Sequence, residues 1–178
     1  WMKSYLKGFE LKGKVLGVIG LGRIGIRLCE LVHAMGMSIL FYDIVEIPKE
    51  TINRLNLKYA EIDSILAKSD YITLNVPLTQ KTKHFISRDA FSKMKKTAYI
   101  INASRGAVLD EEALLQALKK DRIKGAALDV FEIEPPEQNE LIAMPNVICT
   151  PHIGAQTLEA QEAAATAVSE RMIEFFQV

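Results

Sequence analysis

The sequence is poor in cysteine and histidine and carries no excess of either charge. Its two cysteines, Cys29 and Cys149, fall in apolar stretches without metal-type spacing. That pattern speaks against a disulfide framework and reads both as reduced core residues of a cytosolic protein. The three histidines, His33, His84 and His152, stand far apart and form no H-x-x-x-H pair, so no metal site is expected. Lysine plus arginine balances aspartate plus glutamate, 22 against 22. A chain without basic bias is not built to hold nucleic acid or a membrane surface. No apolar run approaches the roughly 18 residues that a membrane span needs, and no apolar signal core follows Trp1-Met2-Lys3-Ser4. These features lead us to expect a cytoplasmic protein. A start on Trp1 ahead of Met2 leads us to expect a fragment.

What is present is a regular alternation. The 178 residues are room for one domain with a substantial core. Short apolar strands are expected at Val15–Ile19, Ser38–Tyr42, Tyr71–Val76, Ala98–Asn102, Gly125–Asp129 and Val147–Cys149. Between them fall helical patterns over Arg23–Met35, Ile62–Ala67, Arg88–Lys93 and Glu111–Lys120, the last capped by Asp110. In the first helix Ile24, Leu28, Leu31 and Val32 are expected on the buried face. A final long helix, capped by Thr157, should run to about Phe176. Strands alternating with helices predict an α/β fold of the Rossmann type, a doubly wound parallel sheet with helices on both faces. Residues 1–10 read as a connecting segment and residues 11–178 as the domain itself.

The first strand runs into Gly20-Leu21-Gly22-Arg23-Ile24-Gly25, a G-x-G-x-x-G loop opening a helix. The three glycines serve the tight turn, the approach of a pyrophosphate to the backbone, and close helix–strand packing. Free N–H groups at the helix start can then take the phosphates. Alone the motif is weak, because a glycine-rich turn needs no ligand. Here it sits between a strand and a helix, and Asp43 closes the second strand 18 residues beyond Gly25. That is about where a ribose-binding acid belongs. A carboxylate accepts from ribose hydroxyls and repels a 2′-phosphate, and the next residues (Ile44, Val45 and Glu46) bring no cation. NAD is therefore expected in preference to NADP.

Three later segments carry a resemblance. They are Asn102-Ala103-Ser104-Arg105-Gly106-Ala107-Val108-Leu109-Asp110-Glu111, Ala127-Leu128-Asp129-Val130-Phe131-Glu132-Ile133-Glu134-Pro135-Pro136, and Thr150-Pro151-His152-Ile153-Gly154-Ala155. With Val76-Pro77-Leu78-Thr79 and Thr82 they resemble, in order and separation, the D-isomer-specific 2-hydroxyacid dehydrogenases, from about Leu11 to Phe176. The resemblance implies Arg105, Glu134 and His152 as catalytic residues. It implies an NAD site made of Gly20, Gly22, Arg23, Ile24, Gly25, Asp43, Ile44, Val76, Pro77, Thr82, Ala103, Ser104, Arg105, Asp129, His152, Gly154 and Ala155. It also implies a 2-hydroxy or 2-oxo acid substrate, a homodimer in the intact protein, and a second, substrate-binding domain built from residues outside this chain. Leu109 and Gln156 depart from the residues common in the family, valine and serine.

The residue types suit such chemistry. Hydride leaves or joins a carbon while a proton moves on its oxygen, and a histidine titrating near neutrality can carry that proton. A carboxylate orients the ring and stabilises its charged form. Arg105 offers a planar fork to a substrate carboxylate. Each also has a plainer reading: a loop-capping arginine, a solvated acid, a turn histidine after Pro151. Glu132, two residues from Glu134, is the obvious rival, and Glu134 is preferred because the family's glutamate directly precedes proline. Asn102-Ala103-Ser104 fits a glycosylation sequon as well. A corepressor branch of the same family, using NAD to control assembly, is the alternative function. Short-chain dehydrogenases are excluded, since none of the five tyrosines is followed four residues later by lysine.

The Asp43 reading makes a direct prediction. The chain should bind NAD more tightly than NADP, and Asp43→Ala should narrow the gap, as measured by calorimetry. Equal affinities in the unmodified chain would remove Asp43 as the selector.

Overall fold

The computed structural model describes residues 8–176. Of the expected connecting segment 1–10, residues 1–7 lie outside the described residues, and 8–10 have no regular structure. The strands are β1 (Val15–Ile19), β2 (Ser38–Tyr42), β3 (Leu57–Tyr59), β4 (Tyr71–Leu74), β5 (Tyr99–Asn102), β6 (Gly125–Leu128) and β7 (Val147–Cys149). They form one sheet in the order β3-β2-β1-β4-β5-β6-β7, and every pair is parallel. The order reverses beside β1. That is where a doubly wound sheet opens a crevice beyond its carboxyl ends.

The helices are α1 (Arg23–Ala34), α2 (Lys49–Arg54), α3 (Ile62–Lys68), α4 (Arg88–Lys93), α5 (Glu111–Lys119), α6 (Glu140–Ala143) and α7 (Leu158–Phe176). The register sorts the strand residues onto two faces. Gly17, Ile72, Ile100 and Ala126 share one face, where Ile65, Leu66, Phe91, Leu114 and Leu118 from α3, α4 and α5 complete the larger core. Gly17 permits the closest of these approaches, since a Cβ there would fall 2.5 Å from Ile65 Cγ2. The other face carries Leu16, Val18, Ile39, Phe41 and Leu57, packed with Cys29 and Val32 of α1.

Three sequence expectations need correction. The sheet has seven strands rather than six, because β3 pairs with β2 through only three residues and of these Leu57 alone is buried. Helices α2 and α6 were not expected: α2 buries no side chain and so has no apolar stripe to read, and α6 is a single four-residue turn within the proline-bearing stretch after β6 that reads as irregular. The buried face of α1 is Gly25, Cys29 and Val32; Ile24 is 74% exposed and Leu31 48%. The glycine loop sets α1 so close to β1 that Gly25 must face the strand, and this turns Ile24 outward. Asp110 caps α5 as expected, accepting from Ala113 N at 2.9 Å. Helix α7 forms over nearly the expected span, yet buries none of its residues. Helices cover both faces, the second one mainly over β1–β3. On that face at the far side of the sheet, Ile148 of β7 is 70% exposed.

Ile72 lies on the central strand β4 and is fully buried. Ile72→Ala should cost about 2–5 kcal/mol, the usual range for such a truncation, read from the midpoint of urea unfolding. A loss under about 1 kcal/mol would show that the larger core is not closed around β4.

Candidate active site

Because all seven strands are parallel, the loops after β1, β2, β4, β5, β6 and β7 emerge at one rim of the sheet. The glycine loop comes first. Gly20 has φ +92°, and a Cβ there would lie 2.6 Å from Asn75 O at the end of β4. A Cβ on Gly25 would strike Gly20 O at 2.5 Å, whereas one on Gly22 would meet nothing within 4 Å. Gly22 is also the N-cap of α1 and offers no side-chain hydrogen bond to the first turn. The first helical N–H groups are thus left to another acceptor. Open space beside uncapped N–H groups is what a dinucleotide pyrophosphate requires, so these residues fit the cofactor. Arg23, Ile24 and Ile44 stand exposed around the loop. Asp43 accepts from Leu21 N at 2.6 Å and from Val45 N at 2.9 Å. It ties the second loop to the first and keeps further lone pairs for hydroxyl donors.

After β4, the Val76–Thr82 turn is held by Thr82, whose hydroxyl donates to Pro77 O at 2.6 Å while its Oγ1 accepts from Thr79 N at 2.8 Å. After β5, Asn102 is 1% exposed and organises the arginine loop. Its amide donates to Arg105 O at 3.0 Å, and its oxygen accepts from Ser104 N at 3.1 Å and Ser104 Oγ at 2.9 Å. Asn102 opens the arginine segment and also fits a sequon, which its place at a strand end argues against; buried and engaged in this way, it is a loop organiser. The signal was there in an asparagine at a strand end two residues before serine, a local-turn pattern. Ala103 and Arg105 stand exposed, and Arg105 Nη1 donates to Ser104 O within its own loop.

The loops after β6 and β7 are joined by Asp129. Its Oδ1 accepts from Thr150 Oγ1 at 2.6 Å and Ile153 N at 2.9 Å, and its Oδ2 from Gly154 N at 3.0 Å. Burial works to raise its carboxyl, but these three bonds prevail and hold it below the ordinary aspartate range. His152 N donates to Asp129 O at 2.8 Å, and His152 itself has φ +53°. A non-glycine residue there is held by its surroundings. The result is that His152 Nδ1 faces Glu134 Oε2 at 2.8 Å. The other Glu134 oxygen accepts from Phe131 N at 3.0 Å. The histidine contact first, and this N–H second, keep the Glu134 carboxyl below its usual range. The rival turns away: Glu132 Oε1 accepts from Glu111 N at 3.2 Å and lies 3.1 Å from His84 Nε2.

The structure therefore pairs Glu134 with His152 and sets Asp129, Gly154 and Ala155 in the same loop cluster. Arg105 makes no hydrogen bond or ion pair with either member of that pair; its own bond is to Ser104 O. Among the described residues no group of three or more histidine, cysteine, aspartate or glutamate side chains is gathered for a metal, and no helix is long and apolar enough to cross a membrane.

Residues 1–154 match the family profile for the D-isomer specific 2-hydroxyacid dehydrogenase, NAD binding domain. The chain belongs to that family. It is 50% identical over 173 residues to a D-3-phosphoglycerate dehydrogenase of Methanocaldococcus jannaschii, covering 97% of this chain and 33% of that protein. A glyoxylate reductase of Thermofilum pendens is 43% identical over 174 residues, covering 97% of this chain and 51% of that one. Among solved structures, the NAD-complexed D-isomer specific 2-hydroxyacid dehydrogenase of Lactobacillus delbrueckii ssp. bulgaricus superposes with a TM-score of 0.81. Its identity is 33%, over 88% of this chain and 51% of that one. The chain thus spans between a third and about half the length of these relatives.

The depressed Asp129 and Glu134 carboxyls set a pH dependence. A folded pKa below the unfolded one stabilises the loop above the ordinary carboxylate range, and that stabilisation is lost as pH falls through the folded values. The amide resonances of Ile153 and Gly154 should hold their shifts at neutral pH and move together only below the ordinary carboxylate range. A carboxylate step in these amides at or above the ordinary aspartate range would show that Asp129 does not hold the loop.

Proposed function

We propose that this chain is the NAD-binding half, with the acid–base machinery, of an NAD-dependent oxidoreductase acting on a D-2-hydroxy acid. The 2.8 Å contact between His152 Nδ1 and Glu134 Oε2, at the rim that carries the glycine loop, is the observation that carries this reading. Residues 11–178 form the cofactor domain in this proposal, and the substrate domain is contributed by other residues of the protein.

NAD, when bound, supplies the hydride acceptor. The chain's own groups do the rest. Gly20, Gly22 and Gly25 with the first turn of α1 take the pyrophosphate, and Asp43 takes the adenosine ribose hydroxyls. Val76, Pro77, Ala103 and Asp129 line the way to the reacting end. With Nδ1–H given to Glu134, His152 presents Nε2 as the base that removes the substrate hydroxyl proton while the C–H bond yields its hydride. In the reverse direction it returns that proton to the keto oxygen. The resulting imidazolium faces an ionised Glu134, which stabilises it. Arg105, exposed on a loop fixed by Asn102, holds the substrate carboxylate through its fork.

D-3-phosphoglycerate is the favoured substrate, which would place the protein in serine biosynthesis. Segments Asp129–Pro136 and Thr150–Gln161 look most like that branch, and the 50% identity to the M. jannaschii protein is in keeping with it. The 43% identity to a glyoxylate reductase makes smaller 2-oxo acids the comparison substrates. The intact enzyme is expected to be a cytoplasmic homodimer.

In the enzyme containing this chain, His152→Ala should lower kcat by about 10²-fold or more, the scale of a lost acid–base group, and Glu134→Gln should move the pH–rate profile. Full activity without His152 would end the reading. The isolated chain should bind NAD yet form NADH from D-3-phosphoglycerate far below about 1 s⁻¹, since a one-walled cleft cannot orient the substrate. Turnover at or above that rate would refute the two-domain requirement.

A further inference from the structure

The loop bearing Glu134 is fastened at both ends by one carboxylate that the chemistry above does not use. Glu111, the first residue of α5, accepts from Glu132 N at 2.5 Å through Oε1 and from Asn139 Nδ2 at 2.5 Å through Oε2. Glu132 lies at the start of the loop and Asn139 at its end, so a single side chain spans it. The fastening is reciprocal, because Glu132 Oε1 accepts from Glu111 N at 3.2 Å. An anion at that place also suits the N-terminus of α5. Asn139 in turn caps α6, accepting from Leu141 N at 3.0 Å.

The same segment leans on the arginine loop. A Cβ built on Gly106 would fall 1.9 Å from the carbonyl of Phe131 and 2.4 Å from Glu132 N, so the two loops are in backbone contact. Phe131 N is also the donor to Glu134 Oε1. Pinned at Phe131, Glu132 and Asn139, the intervening residues hold the Glu134 carboxylate where His152 meets it. Burial drives the Glu111 carboxyl above its ordinary range, with the nearby charges of Glu132 and Glu134 adding to that. Three carboxylates would not gather without the hydrogen bonds that join them.

We infer that Glu111 is a positioning residue for the acid–base pair, setting through Glu132 and Asn139 the place of Glu134 and thereby the proton position on His152. The inference rests on the role proposed above for Glu134 and His152. Its reach is specific: aspartate at 111 keeps the charge and the helix-start preference but is one methylene too short to span from Glu132 N to Asn139. Glutamine keeps the length and an oxygen for the Glu132 N–H, but sets an NH2 donor against Asn139 Nδ2 and so keeps only one of the two ties.

The test uses this chain labelled with ¹⁵N-histidine, at a pH where His152 is neutral. The ring shifts of His152, assigned by their loss in His152→Gln, report which nitrogen holds the proton. In the unmodified chain the Nδ1–H tautomer should dominate. Glu134→Ala should lower the Nδ1–H to Nε2–H ratio by about tenfold, the scale of a hydrogen bond to a charged group. Glu111→Asp should lower it comparably, and Glu111→Gln, which keeps the tie to Glu132 alone, should lower it less. A native ratio in Glu111→Asp, alongside a changed ratio in Glu134→Ala, would overturn the role of Glu111 alone. An unchanged ratio in Glu134→Ala would instead overturn the Glu134–His152 reading on which the inference stands. Circular dichroism of Glu111→Asp confirms that the chain tested is folded.

Discussion

Everything at the rim depends on the strands running the same way. A parallel ladder needs a long return crossing after each strand, and those crossings put α3, α4 and α5 against one face of the sheet. The carboxyl ends of β1, β2, β4, β5, β6 and β7 are thereby brought to a common edge. Residues from Gly20 to Ala155 can then converge although more than a hundred positions separate them. Each loop is also tied to a neighbour: Leu21 to Asp43, Gly20 to Asn75, Gly106 to Phe131, Asp129 to Thr150. The rim is held by hydrogen bonds and by close backbone packing above an apolar sheet.

Two carboxylates in that layer work against solvation and in opposite electrostatic settings. Asp129 collects donors, so its ionised form is favoured in spite of burial. Glu111 collects donors too, but among like charges, and burial prevails there. The contrast follows from who the neighbours are. Asp129 looks toward N–H groups of the 150–155 loop and toward His152. Glu111 looks toward Glu132 and Glu134.

Much of this was legible in the sequence, and the reasons differ by element. The long amphipathic patterns and the G-x-G-x-x-G loop were plain because period and spacing are local properties. The strands of β3 and the helix α2 were not, since Leu57 is the only buried residue of the one and the other buries none. The α1 face was misjudged because apolar periodicity cannot see that Gly25 packs on Gly20 O. The two glutamates were separable only by resemblance to a family. Two residues apart in one bent loop, they differ in what tertiary structure brings to them: Glu111 and His84 to one, His152 to the other. The role of Asn102 hid in the same way, because its partners belong to the very loop it folds.

The glycines of the first loop divide the labour of folding from the labour of recognition. Gly20 and Gly25 face backbone at 2.6 and 2.5 Å, and a methyl at either would disturb the packing itself. Gly22 faces empty space and has an ordinary extended backbone, φ −72° and ψ −166°, that any residue can adopt. A side chain placed there leaves the apolar interior untouched and fills only the volume beside the α1 amides. Position 22 is thus a place where selection could silence the pocket while the domain survives as a scaffold, one substitution from a binding protein to an inert one.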